Sequence, residues 1–223
     1  MALMTMGVAA DRLGGSVRQV QRLARSGAIA AVGSGLLDAE SVHRFGRERV
    51  GHRPRAWAED TAWAAIGLLA GLRVEWLGQP QRSRLKGRLR VIGADELVSA
   101  VRNRASVHRF TAHRAAAAAL GERLVTAATS PTFGELTPAA SAGVDGYLAA
   151  SDLDGLIAEF VLATDGIGDV DVTVRTTRFD LTTVAAIAGA GETLAAIDLT
   201  TSLDPREHAA AREVLTRRLR AFA

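Results

Sequence analysis

Apolar residues at helical spacing form two short runs on either side of Gly14-Gly15. In the first run, residues 6–13, they fall on one stripe and predict a short amphipathic helix. The two glycines then permit a sharp turn. The second run starts at Ser16, which can cap a helix, and Gln19 completes an S-x-x-Q capping box. The pattern therefore predicts two helices joined by a tight turn.

The second predicted helix, which Gly27 ends, has an apolar side and a basic side. The apolar side consists of Val17, Val20, Leu23 and Ala24. Arginine pairs with guanine and glutamine with adenine, each through two hydrogen bonds. The opposite side therefore suits base reading in a major groove, and it carries Arg18, Gln19, Gln21, Arg22 and Arg25. The alternative is an ordinary surface helix whose arginines are solvated.

The residues after this helix predict a two-stranded hairpin and a third helix. Residues 28–32 form the first strand, Gly33-Ser34-Gly35 the turn, and Leu36-Leu37 the returning strand. Asp38 then caps a helix over residues 39–47, which carries Val42 and Phe45. Residues 1–3 are left outside this predicted fold.

The strings SVRQVQRLARSGAIAAV and LLDAESVHRF resemble the winged helix-turn-helix of the MerR and excisionase families. The resemblance implies a DNA-binding module over residues 4–50, with its second helix in the major groove. We expect Arg18, Arg22, Gln19 and Gln21 to contact base edges. We expect Arg12 and Arg25 to hold phosphates. Ser16 also belongs to the predicted DNA-binding residues.

Composition and charge divide the chain in two. It has 223 residues, 48% of them hydrophobic, and no cysteine. Residues 1–57 hold nine arginines and four acids, and residues 80–125 hold ten basic residues and three acids. Residues 126–223 hold seven arginines and fourteen acids. We therefore expect a basic front half that binds a polyanion and an acidic back half that repels one and binds protein.

The segment from Gly46 to Arg55 is a basic connector that contains Pro54. One interpretation is that it contacts the phosphates that flank a DNA site, through Arg47, Arg49, Arg53 and Arg55. The other is a solvated linker.

The densest basic cluster lies in PQRSRLKGRLR, residues 80–90, where a helix would be anchored by Leu85 and Leu89. The cluster favours contact with DNA phosphates or RNA, although a solvated amphipathic helix fits the same pattern. Its basic members are Arg82, Arg84, Lys86, Arg88 and Arg90.

The rest of the chain predicts a mixed α/β domain over residues 56–223, so that the whole is an α+β, mainly helical fold. Periodicity and capping signals predict helices over 56–72, 95–103, 115–120, 152–162, 181–188, 193–199 and from Pro205 onward. Strands are predicted over 106–111, 124–127, 144–148 and 170–174, with a loop over 130–141. Trp57, Trp63 and Trp76 fit a packed core better than an aromatic binding surface.

Two carboxylates, Asp169 and Asp171, alternate at a strand and would suit Mg²⁺ in a nucleotidyltransferase. Such enzymes also need a Gly-Ser element upstream and a third carboxylate. No convincing Gly-Ser element precedes this stretch, so a turn leading into a half-buried strand is the better interpretation. No nucleotide-binding, hydrolase or metalloprotease motif is present in the sequence, and its histidines lack metal-ligand spacing. We expect no catalytic site, cofactor or metal.

The longest uncharged apolar run, Thr61–Leu72, is too short to cross a bilayer, and no leader pattern is present. Together with the absence of cysteine, this leads us to expect a cytoplasmic protein without membrane contact.

NRASVHRFTAH, VTVRTT and LAAIDLTTSLDPREHAAAREVLTRRL resemble the C-terminal domain of AbiEi-type antitoxins. The resemblance implies an antitoxin that binds its own operator, represses transcription and counteracts a nucleotidyltransferase-like toxin. The chain departs from that family at the front, where Gly33-Ser34-Gly35 stands in place of an R-R-G-x-Y wing. Two alternatives stay open: a ligand-sensing transcription regulator and an excisionase-like architectural DNA-binding protein.

Overall fold

The chain divides into two compact units, an N-terminal unit of Met1–Arg53 and a C-terminal unit of Pro54–Ala223. The computed structural model describes residues 3–13, 16–33, 35–49, 55–127, 143–164, 169–202 and 204–223, without the side chains of 46–49. Several predicted features lie outside these residues: the Gly14-Gly15 turn, Ser34, most of the connector with Arg53 and Pro54, the 130–141 loop and the turn at 165–168.

The N-terminal unit consists of three helices and a three-stranded antiparallel sheet in the order β1-β3-β2. The elements are β1 (Leu3–Thr5), α1 (Met6–Leu13), α2 (Val17–Arg25), β2 (Ala31–Gly33), β3 (Leu36–Asp38) and α3 (Ala39–Arg49). The two helices predicted around Gly14-Gly15 are confirmed as α1 and α2, and Ser16 caps α2 as predicted. The predicted cap of the third helix is confirmed as well, since Asp38 accepts the N–H groups of Glu40 and Ser41 at the start of α3. These local signals depend on residues three or four positions apart.

The structure of the N-terminal unit differs from the sequence-based expectation in three places. Strand β1 was not predicted, because three residues are too few for an alternating pattern; it pairs with β3 and places Met4 opposite Leu37 in the core. Strand β2 begins at Ala31 instead of Ala28, since residues 26–30 first complete the turn that leaves α2. Val17 is 43% exposed because it occupies the first turn of α2, beyond the packed stripe.

The C-terminal unit is mostly helical around a second three-stranded sheet. Its helices are α4 (Glu59–Leu69), α5 (Gln79–Leu89), α6 (Ala94–Ala100), α7 (Ala117–Arg123), α8 (Leu153–Phe160), α9 (Leu181–Gly189), α10 (Thr193–Leu199) and α11 (Pro205–Phe222). Its strands are β4 (Ser106–Ala112), β5 (Val144–Ala149) and β6 (Val170–Thr177). Short 3₁₀ turns cover Val101–Arg104, Arg114–Ala116 and Ala150–Asp152.

The sheet of the C-terminal unit has the order β4-β6-β5, with β6 antiparallel to β4 and parallel to β5. Strand β6 extends three residues past the predicted Val174, where its threonines meet the end of β5. The predicted strand over 124–127 is wrong: a single bridge joins Val125 to Tyr147, since neighbouring residues form no ladder.

The core of the C-terminal unit is built on α4. This helix starts at Glu59, three residues later than predicted, and Trp57 packs into the core just before it. Trp63 is fully buried and stacks on Phe179, while Trp76 is partly buried and meets Phe179 edge-on. The tryptophans therefore belong to the core. Helix α6 is shorter than predicted because a 3₁₀ turn takes over at Val101.

The fold class is α+β and mainly helical, as the sequence predicts. Among the described residues, no single helix has the length and apolar character needed to cross a membrane; one sharply bent pair, Leu181–Gly189 with Thr193–Leu199, meets the test only when both helices are taken together.

Candidate nucleic-acid interface

Helix α2 is held at both ends by local hydrogen bonds. At its start, the backbone N–H of Gln19 donates to the Ser16 hydroxyl at 3.3 Å. At its end, Ala28 donates its N–H to the carbonyl of Leu23, and Gly27 takes a positive φ of 71° that glycine adopts without strain. Val20, 1% exposed, fixes the inner face against α1 and α3. The helix is therefore short, capped and fixed in rotation.

The outer face of α2 is cationic and uncompensated. Arg18, Arg22 and Arg25 are exposed, and none makes a hydrogen bond or ion pair with any residue the structure describes. Gln19 and Gln21 flank them and are half-buried, while Arg12 is exposed near the end of α1. Unpaired surface arginines create a positive potential that attracts a polyanion.

A ring of hydrogen bonds sets the hairpin against α3. Ala30 donates its N–H to the Ser41 hydroxyl at 2.9 Å, and that hydroxyl donates to the carbonyl of Asp38 at 3.0 Å. Asp38 in turn donates its N–H to the carbonyl of Ala30 at 2.9 Å. Ser41 is 7% exposed, whereas Ala30 is exposed, so the ring is partly shielded from water. The chain leaving α2 is thereby tied to β3 and to the first turn of α3.

The second basic cluster lies on α5, and some of its side chains contact other parts of the C-terminal unit. Leu85 and Leu89 are buried, as predicted. Arg82 is half-buried and donates to the carbonyl of Val74 at 2.6 Å. Arg88 lies 5.4 Å from the Trp57 ring and 3.9 Å from a carboxylate oxygen of Glu96. These two arginines therefore already have partners within the chain.

The other three basic residues of α5 remain available. Arg84 and Arg90 are exposed and Lys86 is half-buried, and none of them contacts a described acid or acceptor. Arg55 is exposed as well. The remaining predicted residues, Arg53 and the side chain of Arg47, lie outside the described part of the chain.

Sequence reasoning missed a buried ionic network in the C-terminal unit. Arg104 donates to the Asp198 carboxylate and, through Nε, to the Tyr147 hydroxyl at 3.0 Å; Tyr147 donates to Asp198 at 2.7 Å. Arg175 makes two bonds to Asp145, at 2.8 and 2.7 Å, and its Nε lies 3.5 Å from Asp198. A signal was present in the sequence: Asp198 is the one charged residue in the apolar helix TLAAIDL.

Burial and neighbouring charges shift the pKa values of the network, and burial raises the pKa of the Asp145 carboxyl. Burial raises the pKa of the Tyr147 hydroxyl, so the side chain remains a neutral donor. Burial opposes the charge of Arg175, but the carboxylates of Asp198 and Asp145 outweigh it and raise its pKa. The groups thus pair two cations with two carboxylates, as buried charges require. Within the described residues, the network joins β5, β6, α10 and the 3₁₀ turn at Val101–Arg104, and we assign it a structural role.

The paired carboxylates at the start of β6 form no metal site with other described residues. Asp169 and Asp171 are exposed, and the nearest basic contact is His113, whose Nε2 lies 3.9 Å from Asp169. Within the described ranges, no group of three histidine or acidic side chains is placed to hold a metal ion.

No family model, no curated protein and no solved structure matches the chain.

Proposed function

We propose that the N-terminal unit is a winged helix-turn-helix that binds duplex DNA with sequence preference through α2. The main support is the row of exposed arginines on α2, whose opposite side is buried. These arginines, Arg18, Arg22 and Arg25, have no ion pair with a described residue. The β2–β3 hairpin directly after α2 supports this proposal, because the resemblance to winged helix-turn-helix modules implies a wing at that place.

The dimensions of α2 suit a major groove. A helix with its side chains is about 10–12 Å across, which fits a major groove about 12 Å wide. The nine residues of α2 would follow the groove for about 13 Å at a rise of roughly 1.5 Å per residue. Arg18 and Arg22 are one turn apart and reach successive base edges, with Gln19 and Gln21 beside them. Arg25 at the helix end and Arg12 on α1 hold phosphates and so fix the register.

The hairpin contributes little charge to this binding. Its described residues, Ala31–Gly33 and Gly35–Asp38, include no basic side chain. Within the N-terminal unit, the exposed arginine side chains that the structure describes lie on α1 and α2, and base selection falls to α2. A module with so few phosphate contacts binds weakly by itself, because each contact adds to the counterion-release term.

The experiment is a selection of duplexes from a random pool, using the full chain. We expect the wild type to enrich one short motif and Arg22→Ala to enrich a degenerate one. Arg114→Ala, which removes an exposed arginine in the C-terminal unit, is the matched control and keeps the wild-type motif. Failure of the wild type to enrich any motif, or an unchanged motif with Arg22→Ala, would overturn the proposal.

The proposed biological setting is an operator-binding antitoxin, and it rests on the sequence resemblance alone. Its test is co-expression with the product of a neighbouring gene that carries a nucleotidyltransferase motif. Neutralisation of growth arrest by the full chain is expected. If the neighbour has no such motif and a small molecule raises the melting temperature of the C-terminal unit, a ligand-sensing regulator replaces the antitoxin.

A further inference from the structure

Three helices of the C-terminal unit meet at the first turn of α6. Glu96 of α6 pairs with Arg88 of α5 at 3.9 Å, and its neighbour Asp95 pairs with Arg212 of α11. The two acids thus each bind a basic side chain from a different helix. The basic faces of α5 and α11 are therefore joined across α6 into one surface, which we call the α5–α11 face.

Unpaired cations extend from both sides of this junction. Arg84 lies one turn before Arg88 on α5, and Arg220 lies two turns after Arg212 on α11. Both are exposed and make no hydrogen bond or ion pair with any described residue. Arg90 and Lys86 add two more cations on α5.

On α11 the face forms a shallow depression of about 520 Å³, lined by Arg212, Glu213, Thr216, Arg217 and Arg220. Arg217 is paired with Glu192 at 3.2 Å. Glu213 is exposed and makes no ion pair with a described residue. Asp95, Glu96 and Glu192 each pair with an arginine of the face, which leaves Glu213 and the four unpaired cations to set its potential.

The expectation that the back half of the chain repels DNA rests on a count of acids along the sequence. Several of the acids counted there have partners within the fold, whereas Asp169, Asp171 and Glu213 are exposed. Asp145 and Asp198 bind Arg175 and Arg104, while Asp180 and Asp204 cap α9 and α11. By contrast, α11 carries five arginines, several of them exposed. A charge count along the sequence cannot separate these two situations.

We propose that the α5–α11 face is a second nucleic-acid contact, which binds the phosphate backbone of duplex DNA without reading bases. It lacks an exposed aromatic platform for single strands, since Trp57 is buried beneath Arg88. Its cations are spread over two helices, as backbone contacts require, and each phosphate neutralised releases counterions. The proposal does not depend on base reading by α2.

The test measures the affinity of the full chain for a duplex that lacks any selected motif, as a function of salt. The variant Arg84→Gln/Arg220→Gln removes one cation from each helix. We expect its slope of log affinity against log salt to be shallower than wild type by about 1.8, since each phosphate contact contributes roughly 0.9. The control Arg114→Gln/Arg123→Gln removes the same charge beside a different core cluster and keeps the wild-type slope.

A gain-of-binding variant guards against loss through misfolding. Glu213→Gln removes the unpaired carboxylate from the depression and is expected to bind the same duplex severalfold more tightly. The same measurements in an Arg18→Ala/Arg22→Ala background separate this face from α2: the difference of about 1.8 in slope should persist there.

Three results would overturn the proposal. The first is a wild-type slope in Arg84→Gln/Arg220→Gln. The second is unchanged or weaker binding by Glu213→Gln. The third is tighter binding of a single-stranded RNA of equal charge than of the duplex, with only the RNA affinity lowered by Arg84→Gln/Arg220→Gln, which would make RNA the occupant.

Discussion

The hydroxyl of Ser41, on the first turn of α3, accepts the backbone N–H of Ala30 at 2.9 Å. The two residues are eleven positions apart, and the bond closes the ring that ties the exit of α2 to β3. It is the polar contact that fixes the hairpin relative to α3.

Ser41→Ala leaves the Ala30 N–H without its acceptor. We expect the free energy of unfolding of the N-terminal unit to fall by about 0.5–1.5 kcal/mol, the usual net contribution of one hydrogen bond that is not fully buried. Amide hydrogen exchange at Ala30 should speed up in the same variant. Ser83→Ala, at an exposed position on α5, is the control and leaves both quantities unchanged. Wild-type protection of the Ala30 amide in Ser41→Ala would contradict the role of the ring.

The buried pair of Arg104 and Asp198 joins residues 94 positions apart. Asp198→Asn removes the carboxylate but keeps its shape, which leaves Arg104 and Arg175 undercompensated. We expect a loss of about 3–5 kcal/mol in the free energy of unfolding, measured by denaturant titration. The comparison is Glu159→Gln, which breaks the half-exposed pair with Arg123 and should cost less than about 1 kcal/mol. Equal costs for the two variants would show that the buried network is not stabilising.

How far the sequence predicts the structure depends on the range of the signal. The bounds of α1 and the cap at Ser16 were predictable because both arise from residues within one or two helical turns. Strand β1 was not, since its only support is pairing with Leu36–Asp38. The network around Asp198 was not predictable either, because it needs partners from distant segments. In the candidate site, the basic face of α2 was predictable from the sequence. That the arginines of α11 lie beside α6 could be seen only in the folded structure.

Val161, after α8, has a positive φ of 50° and is 83% exposed. A β-branched residue in the left-handed region is strained by about 1–2 kcal/mol, and glycine relieves that strain at a smaller entropic cost. Val161→Gly should therefore raise the free energy of unfolding by about 0.5–1 kcal/mol. Val91→Gly is the matched control, equally exposed but without positive φ, and should lower it. If both substitutions lowered the free energy of unfolding, backbone strain at Val161 would be contradicted.

His108 on β4 contacts the Thr176 hydroxyl at 3.0 Å, and burial lowers the pKa of its imidazole. The neutral form is thus favoured in the folded chain. Its contribution to stability is full above the unfolded pKa of about 6.5 and is lost as the pH falls toward the folded value. We expect the free energy of unfolding to decline less between pH 7.5 and 5.5, about one unit either side of that value, in His108→Gln than in wild type. Identical declines would contradict the assignment.

Base reading by Arg22 is tested most directly by a double-mutant cycle between this side chain and each base pair of the selected motif. Affinities are measured for wild type and Arg22→Ala on the motif and on every single base-pair substitution. We predict a coupling free energy of about 1–3 kcal/mol at one or two adjacent positions and near zero elsewhere. Coupling spread evenly over all positions, or absent from every one, would contradict recognition by α2.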